Sequence, residues 1–283
     1  MRVRKIALVV LGAPVCFVLA ALTVLYFGNP QWHWRLYAFQ AGNTENGILE
    51  PTGGFSGRWR NWDNGGKLLS FYNYKDGKKN GGYVVYAPDG TVSSEGQYAD
   101  GVLDGIQKMF HEDGSRTEIP FARGVRQGVE TTWFASGEVA IEAPWENGVQ
   151  QGIVTFYHES GARQAALPYY NGKLEGMFNT WYENGGLQSE EAYRDGELNG
   201  RSVFRSPDGK ETMALNYRNG RLDGLQMWFH PNGVKARETI ILNGVPDGHW
   251  REWDENGELT ADEEYENGEL KKKAGDEDAG AGG

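Results

Sequence analysis

The sequence predicts an all-β protein: an elongated, single-layer antiparallel sheet of about nine 24-residue hairpin repeats, preceded by an N-terminal transmembrane helix. The repeats are indicated by a glycine that returns every 24 residues, with one 23-residue step between Gly105 and Gly128. A period of this length is typical of repeat architectures. The recurring glycines, each taken as position 0 of a unit, are Gly57, Gly81, Gly105, Gly128, Gly152, Gly176, Gly200, Gly224 and Gly248.

The first 27 residues predict a membrane anchor. A basic cytoplasmic end, 1–5, precedes an uncharged apolar segment, 6–27, whose 22 residues are enough to span a bilayer. The basic end should stay in the cytoplasm, which places the rest of the chain in the periplasm or outside the cell. A cleaved signal peptide is the alternative, although its apolar core is normally about 7–15 residues long. Residues 28–56, punctuated by Gly, Asn and Pro, are expected to form a juxtamembrane linker.

Each unit between residues 57 and 270 is predicted to be one β-hairpin. Glycine also occupies positions 9 and 20 of every unit, and Asn or Asp precedes the second of these in all units but one, where Arg123 stands. Asn-Gly and Asp-Gly supply the positive φ angles of tight hairpin turns, and the runs between the turns have the length of strands. The sequence therefore predicts about eighteen strands. Residues 271–283 hold only Lys, Asp, Glu, Ala and Gly, and we expect a disordered tail there.

Aromatic side chains recur at position 5 and predict a structural ladder along the sheet. A ring at a fixed strand position is first a packing partner for the neighbouring strand. Because side chains alternate across a strand, the apolar residues at position 1, such as Ile153 and Met177, share a face with these rings. The ladder residues are Trp62, Tyr86, Phe110, Trp133, Tyr157, Trp181, Phe229 and Trp253.

Rings at position 2 occur in only some units and are predicted to point to the opposite face. Because they vary between units, they are the better candidates for contacting a ligand, and exposed rings can stack on sugars. These candidate ligand-contacting aromatics are Trp59, Tyr83, Phe178 and Trp250. They suggest a glycan as a second class of partner.

Charge and composition argue against several functions. The net charge is −11, and every acidic residue follows the apolar segment, so a nucleic-acid partner is disfavoured. The single cysteine, Cys16, lies within the apolar segment, which leaves no disulfide in the repeats. His111, His158 and His230 share position 6 but lie two or three units apart, too far to meet at one metal ion. No catalytic motif is present, so we predict no catalytic residue, no metal site and no cofactor, and the protein is not expected to be an enzyme.

A motif of Tyr-x-Asn/Asp-Gly-x-x-x-Gly, with glycine again at position 9, is clearest at 193–200 and 217–224. It resembles the bacterial variant of the MORN repeat, and the resemblance covers residues 57–268. The resemblance implies a twisted antiparallel sheet with one hairpin per repeat. It also implies a scaffold, a membrane tether or an oligomerising rod. Some MORN proteins are proposed to bind phosphoinositides, which the acidic surface disfavours here, and bacterial relatives are often labelled antitoxins.

The leading functional hypothesis is a non-enzymatic, membrane-anchored scaffold on the extracytoplasmic side, which binds another protein or itself. A carbohydrate-binding or cell-wall-binding module is the alternative and rests on the position-2 rings. An antitoxin-like or immunity protein is a remote alternative that rests only on the family label.

Overall fold

The computed structural model describes residues 50–51, 53–63 and 65–273. These residues form one antiparallel sheet of 24 strands, as the all-β prediction required. The described part of the chain has no helix of the length and apolar character needed to cross a membrane. The predicted cytoplasmic end, the predicted transmembrane segment and residues 28–49 of the predicted linker lie outside the described residues, as do residues 274–283 of the predicted tail.

The strands follow one another in chain order across the sheet. The first eight are β1 (Gly57–Trp62), β2 (Leu68–Lys75), β3 (Lys78–Tyr86), β4 (Val92–Ala99), β5 (Val102–Leu103), β6 (Gly105–Phe110), β7 (Arg116–Ala122) and β8 (Val125–Arg126). The next eight are β9 (Gly128–Trp133), β10 (Val139–Glu146), β11 (Val149–Gln150), β12 (Gly152–Tyr157), β13 (Arg163–Tyr170), β14 (Lys173–Leu174), β15 (Gly176–Trp181) and β16 (Leu187–Arg194). The last eight are β17 (Glu197–Arg205), β18 (Glu211–Arg218), β19 (Arg221–Leu222), β20 (Gly224–Phe229), β21 (Lys235–Leu242), β22 (Val245–Trp253), β23 (Leu259–Glu266) and β24 (Glu269–Lys273).

Five of these strands are two-residue segments that belong to the strand after them. β4, for example, pairs first with β5 and then with β6, and Gly105 stands at the junction with φ +100°. Only glycine adopts such a φ without strain, so position 0 is a glycine because the strand bends there. Counting each two-residue segment with the strand that follows it, the chain makes 19 antiparallel passes, close to the eighteen that the sequence predicts.

The turns at position 20 have the predicted geometry. The residue before each of these glycines has φ between 49° and 53°, and the glycine itself has φ between 75° and 92°. Two successive positive φ angles define the type I′ turn that Asn-Gly and Asp-Gly favour. Arg123 also adopts φ 50°, although arginine gains nothing from this conformation.

We expect Arg123→Asn to stabilise the protein by about 0.5–1 kcal/mol, because asparagine tolerates positive φ better than arginine does. Arg123 is exposed, so the change removes no buried contact. Urea denaturation of the two proteins measures the difference. The matched control is Arg194→Asn, an exposed arginine on a strand, which should leave stability nearly unchanged; equal effects of both changes would contradict the turn explanation.

Hydrogen bonds between turns join each unit to the next. The N–H of Gly148 donates to the carbonyl of Arg126 at 2.9 Å, and the N–H of Asn147 donates to Gln127 Oε1 at 2.8 Å. In four other units the side chain just before the position-0 glycine accepts a hydrogen bond from a turn N–H in the same way: Gln151, Glu175, Asp223 and Asp247. Stability in such an array is therefore a sum of contacts between neighbouring units.

A β-bulge explains the single 23-residue unit. In most units the residue at position 12 is left out of the strand pairing. Phe156 pairs with Ala165 and the next residue, Tyr157, pairs with Arg163, so Gln164 has no paired residue on the neighbouring strand. In the 23-residue unit, Met109 and Phe110 pair with consecutive residues and nothing is skipped. The residue that this unit lacks is the bulge residue, so the later units keep their register.

The sheet begins at Gly57, as the sequence suggested, with Phe55 packed beside it, and it ends three residues beyond the suggested C-terminal boundary. At the N-terminal end, the Phe55 ring packs against Trp59 and Tyr74 with centroid distances of 5.6 and 6.1 Å. Part of the predicted linker therefore belongs to the first hairpin. At the C-terminal end, β24 continues to Lys273, so the first three residues of the predicted tail are strand.

Candidate interaction surface

One face of the sheet is buried, and we call it the packed face. It carries positions 2, 4, 13, 15 and 17 of each unit, which pair across neighbouring strands. Its centre is a cluster of five buried side chains: Ala143, Val154, Ala165, Leu167 and Phe178. Val154 has no exposed surface, whereas its neighbour Ile153, on the other face, is 58% exposed. Burial in these central units is therefore on one side, whereas farther along the sheet the cross-strand pair of Val203 and Ala214, at positions 3 and 14, is buried on the other side.

The four rings predicted to contact a ligand lie on the packed face. They were expected to be exposed, and the structure corrects this expectation. Tyr83 is 3% exposed and Phe178 is 9% exposed, so both are core residues. Trp59 and Trp250 are half-buried, and each donates its indole N–H to a side-chain oxygen two residues away, at 3.2 Å. The four rings occupy four different units and do not form one exposed surface.

The predicted ladder also differs from the observed packing layer. All eight ladder residues lie in the described part of the chain, and none is buried. Trp62 is 54% exposed, and Phe110 is exposed as well. The position-5 residues extend toward the other face, where the hydroxyl of Tyr157 donates to Glu142 at 2.7 Å. The packing layer is made instead by positions 2, 13 and 15, with rings from position 17 beside them.

Three tyrosines form a second cluster near the N-terminal end of the packed face. Tyr72 and Tyr83 stack with a centroid distance of 5.4 Å, and Tyr98 lies 5.2 Å from Tyr83. Burial and the neighbouring Tyr98 raise the pKa of Tyr83 to about 12, so the phenol stays neutral. The ammonium of Lys79 lies 4.7 Å from the centre of the Tyr72 ring and 3.1 Å from Glu50. The chain's own cation therefore covers these rings.

Polar side chains interrupt the packed face around Glu191. The Glu191 carboxylate is 5% exposed, pairs across the sheet with Ser202 and accepts a hydrogen bond from Ser189 at 3.1 Å. Ser202 Oγ is fully buried and has no hydrogen-bond partner among the described residues. Burial raises the pKa of Glu191 above the usual range of glutamate. The folded state therefore holds a proton on Glu191 more readily than the unfolded state does.

We expect Glu191→Gln to stabilise the protein at pH 7 by about 1 kcal/mol, because it removes a buried charge and its amide can donate to Ser202. In the parent protein, this group's contribution to stability is greatest below the ordinary pKa of glutamate. That contribution falls as the pH rises from there through the raised pKa. Urea denaturation at pH 4, 5.5 and 7 measures both effects. Equal stability of the two proteins at pH 7, with the same pH dependence, would contradict the assignment.

The opposite face, which we call the open face, carries positions 1, 3, 14, 16 and 18. Cross-strand pairs of position 1 with position 16 form an apolar row through four successive units. The row consists of Ile106 with Pro120, Val129 with Pro144, Ile153 with Pro168, and Met177 with Ala192. Its four position-1 side chains are between 45% and 58% exposed. Large contiguous exposed apolar patches mark interaction sites on soluble proteins.

Valine side chains extend the apolar row toward the position-20 turns. Val102, Val125 and Val149 each follow a turn glycine and are all exposed. Each lies close to the glycine of the next turn; a Cβ on Gly124, for example, would lie 3.2 Å from Val102. Tyr170, two residues after Pro168 on the same strand, is exposed on the same side.

Carboxylates border the apolar row on the open face. Glu118, Glu142 and Glu190 each stand two residues before the position-16 residue of their strand, and Glu146 stands two residues after Pro144. Glu190 is paired with Arg205 at 2.7 Å, and Lys108 lies 3.8 Å from Glu118. Cations stand at the border as well: Arg194 lies two residues after Ala192, and Lys173 follows the turn glycine Gly172, so the border carries charges of both signs.

The apolar row ends after its fourth pair. The next unit replaces it with Arg201 opposite Asn216, and the unit after that returns to apolar residues with Leu225 opposite Ile240. The row is therefore a bounded surface of four units, with a shorter apolar pair beyond a polar gap.

Charged side chains on the open face near the C-terminal end are engaged with one another. Arg251 lies 3.2 Å from Glu238 and 3.3 Å from Asp262, and His249 Nδ1 lies 2.7 Å from Asp262. The hydrogen bond with His249, reinforced by Arg251, lowers the pKa of Asp262. Within residues 50–51, 53–63 and 65–273, no group of three or more His, Cys, Asp or Glu side chains is arranged to hold a metal ion.

The sequence contains a signal for the apolar row that the periods of glycine and aromatic residues did not reveal. Pro120, Pro144 and Pro168 recur at 24-residue intervals, each within a strand. Proline lacks an N–H group and is rare inside sheets, so a periodic strand proline requires a local break in pairing. Each lies beside the position-0 glycine of the next unit; a Cβ on Gly152, for example, would lie 3.2 Å from Pro144.

Two of the repeats match a known family model. The family model described as the MORN repeat variant matches residues 174–195 and 246–267. Both matches begin at position 22 of one unit and end at position 19 of the next, so they share the frame of the 24-residue period. No curated protein sequence matches this chain.

Similar solved structures include the crystal structure of TcdB2-TccC3-Cdc42, at 13% identity and a TM-score of 0.17. They also include a Photorhabdus luminescens Tc holotoxin pore with a mutated TccC3, at 13% identity and a TM-score of 0.18. In both, the match covers 73% of this chain and 13% of the other chain, so this protein spans about an eighth of their length. TM-scores this low do not define a shared fold. The two family matches support the resemblance found in the sequence at residues 174–195 and 246–267, where the chain is similar to the MORN repeat variant.

Proposed function

We propose that this protein is a non-enzymatic repeat scaffold that binds a partner protein through the apolar row of the open face. The observation that carries the proposal is the exposure of that row: position-1 side chains in four successive units are each about half exposed, while their neighbours at position 2 are buried or half-buried. MORN-variant repeats fit a scaffold of this kind. At about 4.8 Å per pass, 19 passes give an elongated sheet on the order of 90 Å long.

The proposal includes a single-pass membrane anchor at residues 6–27, with the repeats in the periplasm or outside the cell. It is supported by the uncharged 22-residue segment and the basic residues before it. Alkaline phosphatase fused after Gly283 should be active in cells, and the fusion should fractionate with membranes at its full mass. An inactive fusion, or a soluble product shortened by about 20 residues as in signal-peptide cleavage, would reject the anchored arrangement.

Site-specific photo-cross-linking tests the interaction surface. A benzoylphenylalanine at Ile153, in the centre of the row, should cross-link one specific protein in cells that express the full-length chain. The same group at Leu259, which is similarly exposed but lies outside the row, should not capture it. Equal capture at both positions, or none at Ile153, would reject the open face as the binding surface.

A further inference from the structure

Two of the position-20 turns are made of the same three residues, Asn147-Gly148-Val149 and Asn243-Gly244-Val245. The two asparagines are exposed and adopt φ angles of 51° and 52°. The two valines are exposed to nearly the same extent, 43% and 42%. The turns therefore share their chemistry and their local shape, so a difference in reactivity between them must come from the contacts that hold each turn to the preceding unit.

The hydrogen bonds to the preceding unit differ between the two turns. Asn147 and Gly148 donate their N–H groups to that unit at 2.8 and 2.9 Å. The N–H of Asn243 donates to Asp223 Oδ2 at 3.3 Å, and the N–H of Gly244 makes no hydrogen bond with any residue that the structure describes. In the other eight units the equivalent glycine donates to the preceding unit at 2.7–3.0 Å.

The length of the acceptor side chain accounts for the longer contact of Asn243. Glutamine and glutamate acceptors lie 2.8 Å from the turn N–H, whereas the shorter aspartates, Asp223 and Asp247, lie 3.3 and 3.2 Å from it. Asp223 is also paired with Arg218 at 3.3 Å. After Asp247, Gly268 still donates to the Pro246 carbonyl at 2.8 Å. Among the nine described turns, only the one at Asn243 combines the longer contact with a glycine N–H that is not hydrogen-bonded.

A free glycine nitrogen after asparagine is a nucleophile for the asparagine side chain. The nitrogen attacks Cγ, the Cγ–Nδ2 bond breaks, and ammonia leaves with the proton that the glycine nitrogen gives up. Water then opens the resulting succinimide ring to aspartate or isoaspartate. A nitrogen that donates a hydrogen bond must first lose it, and this requirement slows the attack by about two- to tenfold.

We propose that Asn243 is a site of spontaneous deamidation, at which the Gly244 nitrogen attacks and the side-chain amide is lost faster than at Asn147. Both products place a carboxylate on a residue whose N–H is held by Asp223. Isoaspartate also adds one carbon atom to the backbone between β21 and β22, where Leu242 pairs with Val245. The reaction needs only water and this turn, so it is independent of any partner that the open face binds.

Peptide mapping by mass spectrometry tests the site in the full-length chain, purified in detergent. The protein is kept at mildly alkaline pH and sampled over time, and each turn peptide is examined for the mass gained when an amide becomes an acid. Asn243 should lose its amide about two- to tenfold faster than Asn147. In urea the two should react at the same rate, because both precede the same Gly-Val sequence. Equal rates in the folded protein, or the same excess at Asn243 in urea, would overturn the proposal.

Matched variants give a second measurement of the same site. Enzymatic methylation of the free α-carboxylate counts the isoaspartate that accumulates in aged protein. Asn243→Ser should remove more of this signal than Asn147→Ser, although both changes replace an exposed turn asparagine. Equal losses from the two variants, or a larger loss from Asn147→Ser, would contradict the assignment of Asn243.

Discussion

Replacing Phe178 with alanine should lower the free energy of unfolding by about 3 kcal/mol. The ring is 9% exposed and packs with Val154, Ala165 and Leu167 in the central cluster of the packed face. It also lies edge-on to Tyr193 at 6.2 Å. Truncation removes the ring from a site that its neighbours cannot refill, because those neighbours are held in register by strand pairing. Urea denaturation followed by tryptophan fluorescence measures the loss.

The matched control for this prediction is the preceding residue. Met177→Ala alters a large apolar side chain on the same strand but on the open face, where it is 45% exposed. We expect that change to cost no more than about 0.5 kcal/mol, the usual scale of a surface substitution. A larger loss from Met177→Ala than from Phe178→Ala would mean that the buried and exposed faces are reversed.

Replacing Gly101 with valine should destabilise the protein by about 2 kcal/mol. Gly101 has φ +92°, which a β-branched residue cannot adopt without strain, and its N–H donates to the Lys79 carbonyl at 2.8 Å. Loss of that geometry weakens the turn and its hydrogen bond to the preceding unit. The measurement is the shift in the urea midpoint and in the melting temperature.

Gly82→Val makes the same chemical change where the backbone permits it. Gly82 lies in β3 at position 1 on the open face, and a Cβ there would meet no atom closer than 3.8 Å. Other units carry Ile or Val at this position, so the change should be neutral or slightly stabilising. If Gly82→Val and Gly101→Val destabilise the protein equally, the loss at Gly101 does not come from its turn.

Local chemistry made the turns and strands predictable. The Asn-Gly and Asp-Gly pairs adopt the expected positive φ angles, and even Arg123 follows them because the rest of its unit imposes the turn. The alternation of side chains also held: Ile153 and Met177 share a face, and Val154 and Phe178 share the other. The apolar content of a face did not reveal which face is buried.

The two faces of the sheet are unequally buried. Bulges at positions 0 and 12 and the natural twist of strands bend a sheet, which brings side chains on one face together and spreads those on the other. Two of the position-2 rings, Tyr83 and Phe178, are core residues, and the position-1 row is surface. Residues such as Glu191 and Ser202 are buried in the same way, although neither residue type predicts burial.

The sequence by itself determined the period, the hairpins, the turn geometry and the resemblance to a repeat family, because each of these depends on residues close together in the chain. It also set which side chains share a face, because that follows from strand alternation alone. Only the tertiary structure decided which face is covered and where the four-unit apolar row lies. Those features depend on how side chains of several neighbouring strands pack together, and no single unit contains that packing.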